Sequence, residues 1–171
     1  MESDSELRRL LAELTARVDA LEGRAATVAP DPVSSTDDPL WILNGIRQRI
    51  GDPGAVVFAG AVRVAAGPVE WQVGFPVDAV LESDWTLLSA SIASLGNPVR
   101  LALLQAVING ATTVAELSAG EGMGTTGQLY HHLNQLVAQS WLHQAGRGHY
   151  SIPPERVVPL LVILSAARRT M

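Results

Sequence analysis

Residues 112–152 read TTVAELSAGEGMGTTGQLYHHLNQLVAQSWLHQAGRGHYSI, and the periodicity changes twice along them. Thr112 or Thr113 can cap a short helix holding Val114, Ala115 and Leu117, with Glu116 placed to answer Thr113 in a capping box. Gly120, Gly122 and Gly124 make a turn, and Thr125 starts a longer helix over 126–140. In that helix Leu129, Leu133, Leu136 and Val137 fall inward, while Thr126, Gln128, Tyr130, His131, Asn134 and Gln135 fall largely outward. Residues 141–152 then place two short strands around Gly146-Arg147-Gly148, a hairpin with a cationic tip. A guanidinium on such a tip can reach a phosphate backbone or a minor groove; the plainer reading of Arg147 is a solvated turn residue.

Upstream, Asp84 can cap a helix to about Leu95, with Trp85, Leu88, Ile92 and Leu95 at three and four spacing. Gly96 breaks it, Asn97 caps the next helix and Pro98 starts it; Val99, Leu101, Leu104, Val107 and Ile108 supply apolar positions up to Asn109-Gly110. Two helices joined by a glycine-containing turn, the second rich in hydrogen-bonding side chains, match the helix-turn-helix plan. The order predicts an α+β chain, mostly helical with a small β content, whose region 85–171 is one domain.

Further toward the N-terminus, residues 40–84 read as a short helix, from Leu40, Trp41, Leu43 and Ile46 to near Gly51, followed by a β-hairpin over 55–77. Val62, Val64, Val69, Trp71, Val73 and Phe75 alternate with small or polar residues, so one face is buried and Arg63, Glu70 and Gln72 are exposed. Residues 25–39 (AATVAPDPVSSTDDP) have linker composition. Residues 1–24 carry a heptad seam, with Leu7, Leu14 and Leu21 at d and Leu11 and Val18 at a. That seam can pair two copies, or the helix can fold back on its own domain, since three heptads are marginal for an independent coiled coil. At the other end, residues 153–169 read as a helix apolar almost all round. It is buried either by a second copy, through Leu160, Leu161 and Leu164, or under the 55–77 hairpin; the dimer contact is the preferred expectation.

Composition narrows the function classes. The net charge of −5 divides into −7 over residues 1–84, with fourteen acids against seven arginines, and +2 over residues 85–171, with three against five; all four histidines lie in the second half. Local positive charge decides phosphate contact, so the acidic total leaves nucleic acid open. Cysteine is absent, which excludes disulfides and thiolate metal sites. No lysine is present, so Gly120 to Gly124 cannot be a phosphate-binding P-loop, and no Ser, His, Asp spacing of hydrolase type occurs; an enzyme is not expected. The acidic, polar opening Met1 to Glu6 and the longest apolar run of only eight residues, 157–164, predict neither a signal peptide nor a membrane span, hence a cytoplasmic protein, held on the nucleoid when bound to DNA.

Residues 95–152 resemble the DNA-binding domain of the ArsR family of winged-helix regulators, chiefly in Leu95-Gly96-Asn97-Pro98-Val99-Arg100-Leu101, Val114-Ala115-Glu116-Leu117, and Leu129-Tyr130-His131-His132-Leu133 followed by Trp141-Leu142. The resemblance implies a dimeric transcriptional regulator bound to double-stranded DNA. Helix 125–140 would lie in the major groove and the wing 141–152 on the backbone or minor groove. It places bases against Thr125, Thr126, Gln128, Tyr130 and His131, and a phosphate, or alternatively an ion pair with a nearby acid, at Arg100. His132 reads as a satisfied structural histidine. The family's metal-sensing residues are missing, and adjacent His131 and His132 point about 100° apart, so no metal or cofactor is expected and any small-molecule or protein effector binds elsewhere. The competing reading is an interaction protein that keeps the winged-helix fold as a scaffold for a partner protein.

Overall fold

The computed structural model describes residues 12–17, 40–120 and 124–168, and the chain divides into two units, 1–49 and 50–171. In the first unit residues 12–17 form α1 and Trp41–Arg49 form α2. Leu14 is 56% exposed on α1; Leu7, Leu11, Val18 and Leu21 of the heptad seam, and the linker 25–39, lie outside the described residues. α2 buries none of its residues, and Arg47 and Arg49 in its last turn suit the negative end of the helix dipole. Arg49 Nη1 donates to Gly45 O at 3.2 Å.

The second unit starts at Ile50, so the hairpin belongs with the C-terminal region and not, as the sequence suggested, with the helix before it. β1 (Ala55–Val64) and β2 (Gly67–Pro76) pair antiparallel around a two-residue turn, Val64 opposite Gly67 and Ala55 opposite Pro76. Residues directly opposite point to the same side, which sets Val56, Phe58, Gly60 and Val62 on one face with Phe75, Val73, Trp71 and Val69. Arg63, Glu70 and Gln72 occupy the other, exposed face, as expected.

Part of that apolar face, around Gly60, lies on α8 (Pro154–Ala166); the expectation of a wholly buried face is corrected at Trp71 and Phe75, which are 38% and 46% exposed. The preferred expectation of a dimer contact is therefore corrected for Leu160, which is buried in this copy's own core; Leu161 is half-buried and Leu164 is exposed. The close approach occurs at Gly60, where an added Cβ would stand 2.9 Å from Val158 Cγ1 and 3.1 Å from Cγ2. Val158 is itself buried and cannot swing aside. Gly60→Ala is expected to lower stability by about 1–3 kcal/mol through overpacking, and Val158→Ala in the same chain should recover part of it; additive losses in urea unfolding would refute the contact.

Between hairpin and core, α3 (Val77–Glu82) leads to a 3-10 turn, Trp85–Leu88, and then α4 (Ser89–Leu95). Asp84 caps the turn, accepting from Thr86 N at 2.9 Å and Thr86 Oγ1 at 2.7 Å. One continuous inward-facing helix was expected here. Instead the stretch starts as a 3-10 turn, and Trp85, Leu88 and Ile92 face solvent because no described element covers them; Leu95 alone of that set is buried.

α5 (Pro98–Ile108) begins where Asn97 Oδ1 accepts from Val99 N and Arg100 N, with Pro98 in the first turn. α6 (Val114–Ser118) has the expected capping box: Glu116 Oε2 accepts from Thr112 N at 2.8 Å and Thr113 N at 2.9 Å, while Thr113 Oγ1 accepts from Glu116 N. The Thr113 and Thr112 backbone N–H groups hold the Glu116 carboxyl below its ordinary pKa. α7 (Thr126–Ala138) closes with Ser140 N donating to Val137 O and Trp141 N to Leu136 O, the paired bonds of a Schellman turn. β3 (His143–Gly146) and β4 (His149–Ser151) follow. Leu103, Leu104, Leu117, Leu129, Leu133, Leu136, Leu142, Tyr150 and Leu160 fill one core shared by α5, α6, α7, this second hairpin and α8. Trp141 joins it from the edge, donating Nε1–H to Ser91 O of α4 at 3.3 Å while the Arg156 guanidinium of α8 lies 4.9 Å from its ring centroid.

Candidate nucleic-acid interface

α6 and α7 share the core through Leu117, Leu129, Leu133 and Leu136, which turns the opposite side of α7 to solvent. At 100° per residue, Thr126, Gly127, Tyr130, His131 and Asn134 form one face, and all five are exposed. Tyr130 is 43% exposed, with its phenol available as donor or acceptor. Two candidate residues have local work as well. Thr125 is the N-cap of α7 and accepts from Gln128 N at 3.4 Å, while Gln128 Oε1 accepts from Thr125 N at 2.9 Å. A Cβ at Gly124, whose φ is +72°, would meet that Gln128 oxygen. The Gln128 carbonyl oxygen is thus engaged in the cap and its amide N–H groups remain outward, so a bidentate pairing with adenine requires giving up the cap.

Arg147 stands exposed at the tip between β3 and β4. The second strand of that hairpin, from the tip residue Gly148 onward, is fixed to the start of α6: Tyr150 N donates to Thr112 O at 2.7 Å, Val114 N to Gly148 O at 3.1 Å, and His149 bridges Thr113. Tyr150 is buried, which pushes its phenol pKa up. The tip is held to the same body as α7, and that places Arg147 by backbone bonds and not by its own side chain.

Arg100 departs from the phosphate or ion-pair expectation. Its guanidinium turns inward, donating Nε–H to Ser94 O, Nη1–H to Gln135 Oε1 and Nη2–H to Ala93 O at 2.8 Å. Gln135, expected outward, is half-buried as the partner. Arg100 therefore ties the C-terminal carbonyls of α4, where a cation suits the dipole, to the middle of α7. With Arg156 over Trp141, two of the cations counted in residues 85–171 serve the fold. α7 has no Arg, Lys, Asp or Glu from Thr126 to Ala138.

His132 also differs from expectation. Its Nδ1 is buried without a hydrogen-bond partner, its ring lies 5.7 Å from that of His131, edge-on, and its pKa is lowered by burial first and then by the positive charges of Arg100 and His131. A base whose folded pKa lies below its ordinary value of about 6.5 takes up its proton more readily when unfolded. Stability contributed by neutral His132 is thus present above about pH 6.5 and lost as pH falls from there toward the lowered value. The urea midpoint is expected to drop across that window and to drop less in His132→Leu; identical pH slopes in the two chains would refute this. The helix period places His132 on the more buried side and His131 outward, and it is so; what the period does not supply is a hydrogen-bond partner for the His132 ring.

Among the described residues no group of three His, Asp or Glu side chains is placed to hold a metal ion, and no single helix is long and apolar enough to cross a membrane. No family model, curated protein or solved structure matches this chain.

Proposed function

We propose that residues 85–168 are a winged helix-turn-helix domain of the ArsR type and that the protein is a dimeric, DNA-binding transcriptional regulator. The observation that carries this reading is the exposed face of Thr126, Gly127, Tyr130, His131 and Asn134 on α7, standing on the same body as the cationic hairpin tip at Arg147. Hydroxyl, phenol, imidazole and amide groups can read base edges or hold phosphate, and Arg147 supplies the charge that α7 lacks. Arg100 takes no part in the interface in this reading.

A two-fold dimer sets two such helices against a palindromic site. The surface that suits self-association is the stretch from α3 to α4, where Leu81, Trp85, Leu87, Leu88 and Ile92 are all more than half exposed. Together they leave roughly 600 Å² of apolar side chain in solvent, at the upper end for a monomer's largest patch. Two copies would bury roughly 1,200 Å², the lower end of specific protein interfaces.

The test is fluorescence anisotropy on a duplex that the protein itself selects from a random-sequence pool. Affinity should fall with salt, and Arg147→Ala should weaken binding on every duplex and reduce the salt slope by about two per dimer, one for each wing. Failure to select any sequence, or a salt-independent affinity unchanged by Arg147→Ala, would refute the reading. The scarcity of cations around α7 favours one other reading, a domain whose α7 face contacts a partner protein, and the absence of any selected duplex would point to it.

A further inference from the structure

We propose that the groove between α4 and α7 is an effector site for a small carboxylate with an apolar body, and that occupancy loosens the tie between these helices; the regulatory part rests on reading α7 as the DNA-contacting helix. The groove encloses about 270 Å³, with Ala90 and Ala93 of α4 on one wall, Gln135, Ala138 and Gln139 of α7 on the other, and Arg100 between them. Three alanine methyls give it an apolar lining with space for roughly ten non-hydrogen atoms, at the small end of ligand sites.

Arg100 sets the ligand's charge. It is half-buried, and its three acceptors, Ser94 O, Ala93 O and Gln135 Oε1, are all neutral; no carboxylate pairs with it among the described residues. Two of the five guanidinium N–H donors remain. An ammonium ligand would meet like charge, whereas a carboxylate supplies the counter-charge that the fold withholds. A carboxylate adds charge–charge attraction and a bidentate geometry that a neutral amide oxygen cannot offer a guanidinium, so it competes with the Gln135 side chain for the Nη1–H. Arg100 is the side chain that joins α4 to α7, and losing Gln135 removes the α7 end of that strap. A ligand that binds the released arrangement better shifts the population toward it, and DNA and ligand then affect each other's affinity by the same factor.

The experiment titrates the full chain, without DNA, with sodium hexanoate, hexan-1-ol and inorganic phosphate, following binding by calorimetry. Hexanoate should saturate with a Kd on the order of 1 mM, the alcohol and phosphate should bind at least about ten-fold more weakly, and Ala93→Leu, which fills the groove from its exposed α4 wall, should weaken hexanoate about ten-fold with an unchanged melting temperature. Hexanol binding as well as hexanoate would overturn the role of Arg100, and phosphate binding as well would overturn the apolar body. Hexanoate binding unaffected by both Ala93→Leu and Ala138→Leu, or its failure to saturate, would overturn the site. Hexanoate should also shift affinity for the selected duplex in the native chain and not in Ala93→Leu. If hexanoate binds and no duplex does, the site stands and the DNA reading falls; if a duplex binds and hexanoate does not, the reverse holds.

Discussion

Arg100→Ala is expected to lower the free energy of unfolding by about 2–3 kcal/mol, because three charge-assisted hydrogen bonds to Ser94 O, Ala93 O and Gln135 Oε1 are lost together. The carbonyls at the end of α4 can partly rehydrate, which keeps the loss below the sum of three separate bonds. Arg100→Lys should recover less than half of it, since an ammonium is a point charge and cannot span acceptors on two helices as a planar guanidinium does. Urea unfolding of the three chains separates this from the phosphate role that the sequence suggested. A phosphate contact would leave stability unchanged on substitution and reduce the salt slope of DNA binding. Unchanged unfolding in Arg100→Ala would therefore remove the strap and return Arg100 to the interface.

The reason Arg100 misled is physical. What could be read from the sequence was local: Asp84, Asn97, Thr113 and Thr125 all cap where they were placed, since a cap depends on side chains two or three residues from the backbone groups they satisfy. Where Arg100 points depends on the 76° bend between the 85–95 stretch and α5, which returns the guanidinium to the carbonyls of the preceding helix. No spacing rule supplies that angle. The apolar periodicity of Trp85, Leu88 and Ile92 announced a buried face equally well for a core and for a surface awaiting a partner. α8 was ambiguous for the same reason, and the feature that decides it is Gly60, whose missing Cβ admits Val158. Within the candidate interface, Thr126, Tyr130, His131 and Arg147 were legible because helix period and hairpin tip determine exposure. The second role of Gln128 was less so, since a capping box at Thr125 competes with its use as a base reader.

Ile92→Asp is expected to weaken self-association by a factor on the order of 100, the cost of placing a carboxylate in a desolvated interface centre. Ile92 is 65% exposed and Leu87 79% exposed, so aspartate at either position stays hydrated in the separate chain and its melting temperature at low concentration should hardly change. Light scattering across a concentration series should report a dimer for the native protein and half that mass for Ile92→Asp; Leu87→Asp should act in the same direction. Affinity for a palindromic duplex should fall with the mass, because a single copy reaches one half-site. Leu14→Asp provides the contrast: if the heptad seam on the N-terminal segment holds the copies together, that substitution lowers the mass and Ile92→Asp does not. Loss of the dimer in Ile92→Asp alone assigns association to the α3 to α4 surface. The apolar side chains that the core leaves uncovered would then set the spacing of the two α7 helices.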